Sequence, residues 1–243
     1  MRIKLCLEYD GTNYSGWQWQ AEQDSIQARV EAALERLFGE KIRLHGAGRT
    51  DSGVHALGQV AAFSAPARFA VGEVHRALNA LLPPDIVVRD VTEVGEDFDP
   101  RRDARSRVYE YHILNQNLAS AFDYRYCWLI REPLENQAID EAAGRFIGEH
   151  DFAAFRSLGS EIKSTVRSIY ASSWRREGTR LIYRVEANSF LRHMVRTMVA
   201  TMVEVGRGKA TAELVSRLLA SRDRAQAPAA APARGLFLVE VRY

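Results

Sequence analysis

The chain has 243 residues, and its 33 basic and 31 acidic side chains give a formal net charge of +2. Apolar residues make up 47% and charged residues 26% of the chain, which is ordinary for a globular protein and excludes a polycation. Any nucleic-acid partner would therefore need a locally basic surface. Two cysteines, Cys6 and Cys127, are too few for a disulfide framework and favour a reducing compartment.

The N-terminal stretch begins directly with alternating polar and apolar residues and shows no signal peptide. No apolar run reaches the roughly 18–20 residues that a membrane span needs. We therefore expect a cytoplasmic protein without a membrane partner.

The first hundred residues predict a strand, a helix, two strands, a helix and a strand. Alternation predicts a strand over residues 3–9, and Asp24 or Ser25 caps a helix that ends near Gly39. The remaining elements are strands over 41–45 and 57–63, a helix over 71–82 and a strand over 86–94. This β-α-β-β-α-β order is that of a ferredoxin-like unit.

The rest of the chain predicts a second unit of similar order. The predicted elements are strands over 105–114, 166–175, 180–187 and 236–241, and helices over 134–147, 190–205 and 212–221. Longer loops are expected at 150–162 and at 225–233, an Ala/Pro-rich surface connection. We therefore predict an α+β fold of pseudo-duplicated ferredoxin-like (βαββαβ) halves, at residues 1–100 and 101–243. The halves would form a broad antiparallel sheet with helices on one face and a cleft on the other.

The glycine-rich loop over residues 46–55 presents a single carboxylate, that of Asp51. Arg49 lies two residues before it, so in an extended run both side chains point the same way. Glycine permits a tight turn and the close approach of another molecule. From these residues alone, a loop that presents one charged group and a hairpin turn with a surface ion pair are equally good interpretations.

The strand that begins at Arg105 combines arginines and tyrosines. Its residues Arg105, Arg107, Tyr109 and Tyr111 share one face. Such a face can bind phosphates through its arginines and stack unpaired bases on its rings. The alternative interpretation is a solvated strand face with tyrosines at the edge of the core.

The predicted helix over residues 190–205 has a buried apolar face and carries Arg192 and Arg196 one turn apart. An arginine on so apolar a helix invites a buried acidic partner, for which Asp51 is a candidate. The alternative is that Arg196 extends to solvent.

Motifs for metals, phosphate loops and serine hydrolases do not occur. Val54–His55 follows Gly48–Gly53 where a Walker loop needs Lys-Ser/Thr. The six histidines form no H-x-x-x-H or H-E-x-x-H pair, and neither C-x-x-C nor G-x-S-x-G is present. We therefore expect no metal site.

Several motifs together resemble one enzyme family. The run Gly-Arg-Thr-Asp-Ser-Gly-Val-His at residues 48–55 is similar to the catalytic motif of the tRNA pseudouridine synthase A (TruA) family. Further similar stretches follow in the family's order, at residues 9–18, 25–27, 104–111, 150–152, 188–196 and 232–236. The resemblance covers essentially the whole chain. It departs at Trp19, where a basic or polar residue is usual, and at Asp99–Pro100, where a less constrained pair is expected.

The resemblance implies an isomerase that converts uridine to pseudouridine at positions 38–40 of the tRNA anticodon stem-loop. It implies a homodimer that needs no cofactor. Asp51 would be the catalytic carboxylate, Tyr109 would pack on the target base and Arg196 would be the partner of Asp51. Arg49 would contact the RNA backbone or orient the loop. Residues 1–100 would thus carry the catalytic loop, and residues 101–243 the stacking tyrosine and the arginine helix.

The chemistry and two rival functions stay open at this point. Asp51 could add to C1′, add to C6 or remove the 2′ proton. A non-catalytic RNA-binding module would explain the arginine and tyrosine strand, but it leaves a glycine-framed carboxylate without a purpose. A carboxylate-dependent hydrolase usually needs a second acid at a matched distance, and the sequence offers no obvious one.

Overall fold

A computed structural model describes residues 1–157 and 163–243. Within these residues the chain has ten strands and five α-helices, which confirms the predicted α+β class. The chain forms two compact units. Unit 1 comprises Met1–Arg105 and Phe237–Tyr243, and unit 2 comprises Ser106–Leu236. In the part of the chain that is described, no helix is both long and apolar enough to cross a membrane.

Unit 1 consists of one sheet and two helices. Its elements are β1 (Arg2–Tyr9), α1 (Ile26–Phe38), β2 (His45–Gly46), β3 (His55–Ser64), α2 (Val71–Leu81) and β4 (Ile86–Val94), joined by the C-terminal strand β10 (Leu236–Arg242). The strand order is β4-β1-β3-β10, and β1 is antiparallel to both of its neighbours. Helices α1 and α2 contact each other, so they share one face of this sheet. The predicted β-α-β-β-α-β order of the first half is confirmed.

Two elements of unit 1 show why the sequence predicts them well. Strand β1 buries every second residue, and the side chains of Ile3, Leu5 and Leu7 are fully inaccessible. Helix α1 begins after Ser25, whose hydroxyl accepts a hydrogen bond from the Ala28 amide, and ends at Gly39 in the left-handed conformation. Of the two predicted caps, the structure therefore uses Ser25.

The pairing between β2 and β3 differs from the prediction. The strand predicted over 41–45 is wrong in extent, because only His45–Gly46 pair with β3. Side chains of α1 bond the backbone just before it: Gln27 donates to the Leu44 carbonyl at 3.0 Å, and the Leu44 amide donates to Glu31 at 2.9 Å. Since these groups are taken, the strand cannot extend backwards. Strand β10 also pairs with β3, in the parallel direction at Phe237 and Leu238.

The described part of unit 2 contains five strands and three α-helices. Its elements are β5 (Ser106–Asn115), β6 (Trp128–Ile130), α3 (Asn136–Gly144), β7 (Gly148–Asp151), β8 (Val166–Glu177), β9 (Arg180–Ala187), α4 (Met194–Gly206) and α5 (Glu213–Ser221). The order β5-β9-β8-β7 is antiparallel throughout, and β6 pairs in parallel with β5. Strands β6 and β7 were not predicted. The loop predicted over 150–162 holds the end of β7 and a 3₁₀ turn at Ala153–Phe155, and its residues 158–162 lie outside the described part.

Helix α4 begins four residues later than predicted. His193 has a φ of 64°, a left-handed conformation that a helix cannot contain, so the helix starts at Met194. Phe190 and Arg192 therefore precede the helix. The predicted one-turn spacing of Arg192 and Arg196 on α4 is wrong for this reason.

Candidate active site

The loop that carries Asp51 connects β2 to β3 in unit 1. The amide of Val54 donates to the Asp51 carbonyl at 3.1 Å, which closes a four-residue turn. Gly53 has a φ of 75° at the third position of this turn, where glycine adopts the positive angle without strain. Asp51 is half-buried, and Ser52 at the tip is exposed. The carboxylate thus belongs to the first residue of a closed turn.

The segment after β1 packs against the backbone of this loop. The Trp17 amide donates to the Thr50 carbonyl at 3.1 Å, and the Gly53 amide donates to the Tyr14 carbonyl at 3.4 Å. A Cβ atom at Gly16 would lie 2.5 Å from the Thr50 carbonyl oxygen, and Gly16 has a φ of 96°. Since no side chain fits there, the two backbones are in direct contact.

Two buried polar side chains of the sheet form hydrogen bonds with the loop. The Tyr9 hydroxyl lies 2.8 Å from Thr50 Oγ1, and Gln59 Nε2 donates to the Gly48 carbonyl at 2.8 Å. Burial raises the pKa of Tyr9 to about 12, so its hydroxyl stays protonated at neutral pH. The sequence did not single out Tyr9 or Gln59. The available signal was a glutamine inside the apolar run of β3, because a buried amide must find hydrogen-bond partners.

His55 anchors the end of the loop at the start of β3. Its side chain is buried, and its ring stacks on Phe237 at a centroid distance of 4.7 Å. The Gly11 amide donates to His55 Nδ1 at 3.1 Å, and Asp10 Oδ1 lies 3.1 Å from the same nitrogen. These contacts tie the loop to the residues that follow β1.

Arg49 has a different environment from its neighbour. Its side chain is exposed, whereas the Thr50 side chain is buried against Tyr9. The guanidinium is therefore accessible to a ligand of the loop. Asp51 and Arg49 both lie in unit 1.

Tyr109 and Arg196 lie in unit 2. Tyr109 is on β5, only 7% exposed, and its ring meets that of Phe190 edge to face at a centroid distance of 5.0 Å. The neighbouring Arg107 is also buried and donates to the Asn188 carbonyl at 2.9 Å. The predicted open face of alternating arginines and tyrosines is wrong at Tyr111, which is completely buried. The alternative interpretation, a solvated strand face with tyrosines at the edge of the core, is right that the tyrosines pack against the core and wrong about the solvated face, because nearly every residue of β5 is buried.

Glu110, between the two tyrosines, is the centre of a charge network that the sequence did not reveal. It accepts hydrogen bonds from Arg184 at 2.9 Å and Arg175 at 3.2 Å, and its other oxygen lies 3.3 Å from His112 Nε2. The bond to His112, followed by the two guanidinium groups, lowers the pKa of Glu110 to about 2. This carboxylate is thus a structural anion that joins β5 to its neighbours.

Arg196 lies in the first turn of α4 and is half-buried. Its Nε donates to the Ala231 carbonyl at 2.7 Å, and the Ala231 amide donates to the Arg196 carbonyl at 3.0 Å. Ala231 is buried, so the predicted surface connection at 225–233 is wrong at this residue. We call residues 227–235 the strap, because they run across the start of α4.

The comparisons with known proteins identify the family. A family model described as tRNA pseudouridine synthase matches residues 5–103 and 142–243. The chain belongs to the tRNA pseudouridine synthase family. The tRNA pseudouridine synthase A of Geotalea uraniireducens (strain Rf4) is 46% identical over 242 residues, covering 100% of this chain and 99% of that protein. Those of Myxococcus xanthus and Acetivibrio thermocellus are 44% and 43% identical, with 92% and 99% of their lengths covered.

The family and the enzyme class predicted from the motifs are therefore confirmed: this tRNA pseudouridine synthase is an isomerase that acts on tRNA. Pseudouridine formation transfers no group from a second substrate. Within residues 1–157 and 163–243, no group of three or more His, Cys, Asp or Glu side chains is placed to hold a metal ion. The loop of Asp51 is held by the segment around Gly16 and by the side chains of Tyr9 and Gln59. The Asp51 carboxylate is therefore the candidate reacting group of this synthase.

Proposed function

We propose that this synthase converts uridine to pseudouridine at positions 38–40 of the tRNA anticodon stem-loop and that Asp51 is its catalytic carboxylate. The observation that carries the proposal is the fixed loop. Its backbone is bonded to the segment around Gly16 and to the buried side chain of Gln59, and its Thr50 hydroxyl is bonded to the buried hydroxyl of Tyr9. A carboxylate on so constrained a turn is held in place before substrate binds, which lowers the entropic part of the barrier.

The chemistry needs one ionised carboxylate. The C1′–N1 bond breaks, the uracil turns and C1′ joins C5, whose proton leaves at the end. Asp51 acts either by adding to C1′ or C6 or by removing the 2′ proton. The target base must leave its stack to reach the loop.

The remaining site residues have proposed roles in the same reaction. Tyr109 packs on the target base, Arg196 is the ionic partner of Asp51, and Arg49 contacts the RNA backbone or orients the loop. A guanidinium beside a carboxylate forms charge-assisted hydrogen bonds that hold its oxygens in place. Residues 1–100 thus supply the catalytic loop, and residues 101–243 supply the stacking tyrosine and the arginine helix.

The setting of the enzyme is also part of the proposal. It works in the cytoplasm as a homodimer, and tRNA is its macromolecular substrate. It uses no cofactor, because the rearrangement is neither an oxidation nor a reduction and needs no second substrate.

Tritium release from tRNA labelled at uridine C5 tests this proposal. Asp51→Asn should lower the release rate by about 10³-fold or more, because the nucleophile or base is lost. The variant should still fold and bind tRNA in a gel-shift assay. Asp90→Asn, the same change at an exposed position on β4, is the matched control and should keep full activity.

The same assay distinguishes the proposed function from the two alternatives, a non-catalytic RNA-binding module and a hydrolase. An RNA-binding module would bind tRNA and release no tritium, and a hydrolase would give cleaved products. Substantial turnover by the Asp51→Asn variant would show that another group carries the reaction.

A further inference from the structure

Tyr111 is a buried polar side chain that the proposed reaction does not yet use. It lies on β5, two residues after Tyr109, and is completely inaccessible. Its hydroxyl donates to the Pro232 carbonyl at 2.8 Å, so it bonds the strap. A phenolic hydroxyl buried in this way costs free energy unless it is bonded, and this bond satisfies it.

The strap is also in close contact with the Tyr111 ring. A Cβ atom at Gly235 would lie 2.7 Å from Tyr111 Cζ and 2.9 Å from the His112 carbonyl oxygen. The strap therefore cannot move toward β5. The hydroxyl bond at Pro232 prevents movement in the opposite direction.

Ala231, the residue of the strap directly before Pro232, connects these contacts to Arg196. Ala231 exchanges two hydrogen bonds with Arg196, one with its Nε and one with its backbone carbonyl. A guanidinium that is held at Nε presents its two terminal nitrogens in a defined direction. The direction of the guanidinium then depends on where Ala231 sits, and Tyr111 fixes the adjacent residue.

We propose that Tyr111 is a positioning residue of the active site: through the strap it sets the direction in which Arg196 presents its guanidinium. The proposal rests on the role assigned above to Arg196, as the partner of the catalytic carboxylate. Tyr111 itself touches neither substrate nor the reacting atoms.

The ionisation of Tyr111 is consistent with this role. Burial raises the pKa of its hydroxyl far above its ordinary value, and the charges of Arg196 and Arg234 only partly oppose the rise. The hydroxyl is therefore a neutral donor throughout the working pH range.

Tyr183 offers a matched control. It lies on β9 directly opposite Tyr111 and is equally buried. Its hydroxyl lies 2.7 Å from Ser172 Oγ, which itself donates to the Ala143 carbonyl. Tyr183 must therefore be the donor to Ser172, and its hydrogen bond leads to α3 and not to the strap.

The test compares Tyr111→Phe with Tyr183→Phe in the tritium-release assay. Each change removes one buried hydroxyl bond, so both variants should lose similar thermal stability. We expect Tyr111→Phe to lower kcat by about tenfold, the upper range for one lost hydrogen bond, with KM for tRNA within about twofold of the parent. Tyr183→Phe should leave kcat unchanged. Gly235→Ala, whose added Cβ atom would push the strap away from the Tyr111 ring, should lower kcat in the same way.

A double-mutant cycle with Arg196→Lys separates positioning from a general loss of structure. If Tyr111 acts through Arg196, Tyr111→Phe should have little further effect on kcat in the Arg196→Lys background. Equal tenfold losses in both backgrounds, or a normal kcat for Tyr111→Phe in the parent, would overturn the inference. Its failure is distinct from failure of the proposed function, which would appear as turnover by Asp51→Asn.

Discussion

The contact between Gly16 and the Asp51 loop leads to a testable prediction. Replacing Gly16 with alanine introduces a Cβ atom 2.5 Å from the Thr50 carbonyl oxygen and forces alanine to a φ of 96°. The positive φ costs about 1 kcal/mol, partly offset by a less flexible unfolded chain, worth about 0.4–1 kcal/mol. Relief of the clash adds about 1–3 kcal/mol. We therefore expect Gly16→Ala to lower the free energy of unfolding by about 1–3 kcal/mol.

The displaced atoms are those next to Asp51, so catalysis should suffer more than folding does. A shift of about 1 Å in a reacting group can lower the rate by about 10²-fold. We expect a decrease of that order in kcat/KM for tRNA, measured by tritium release well below the Tm of the variant. Urea denaturation gives the stability change.

Gly39 provides the control for the backbone angle. It has a φ of 76° at the end of α1, and a Cβ atom there would meet nothing within 4 Å. Gly39→Ala should therefore lower the free energy of unfolding by only the cost of its positive φ, about 1 kcal/mol, and leave kcat/KM as it was. If Gly16→Ala retained full activity, or if both alanine variants lost activity equally, the loop would not owe its position to this contact.

Two further predictions concern β5. Because the pKa of Glu110 is lowered to about 2 from an ordinary 4.5, its network stabilises the fold above about pH 4.5 and this contribution is lost as the pH falls toward 2. Glu110→Gln should cost about 1–2 kcal/mol at pH 7, after allowance for its partly exposed arginines, and should flatten the acid limb of the unfolding curve. A similar effect of Glu93→Gln, at an exposed acid of β4, would contradict this. Tyr109→Phe keeps the ring and should lower kcat less than Tyr109→Ala, assayed below both Tm values. Equal losses would instead assign a role to the hydroxyl.

Local sequence patterns predicted the elements whose caps or burial period can be read within one segment. Helix α1 followed from its caps, and β1 followed from strict alternation. The extent of strand β2 did not follow from the sequence, because two side chains of α1 form hydrogen bonds with the backbone of Leu44. The start of α4 was missed because His193 adopts a left-handed angle that its identity does not signal.

The tyrosines of β5 illustrate a second limit. A period of two tells which residues share a face of a strand, but not whether that face is covered. Strand β5 is buried on nearly every residue, so both of its faces are covered. Tyr111 is therefore a core residue, although alternation alone had left open whether the face that it shares with Tyr109 is exposed or packed against the core.

Some residues of the candidate site could be predicted from the sequence and others could not. Asp51 was singled out because small residues surround one carboxylate, and the family resemblance, not the loop residues alone, gave it an expected catalytic role. Tyr9 and Gln59, which hold the loop, were not visible as site residues, because their partners are 41 and 11 positions away in the sequence. Only the fold brings such pairs together.

The way the loop is held also explains why Asp51→Asn is a clean test of chemistry. Apart from the bond between Tyr9 and the Thr50 hydroxyl, the hydrogen bonds described above engage the loop at backbone atoms, namely the Gly48, Thr50 and Asp51 carbonyl oxygens and the Gly53 amide. Asparagine has nearly the same shape as aspartate and leaves each of these bonds in place. Thr50 is different, since its hydroxyl bonds Tyr9 and its replacement would loosen the turn. An inactive Asp51→Asn variant with an unchanged unfolding curve would therefore report on the carboxylate itself, whereas an inactive Thr50 variant would not.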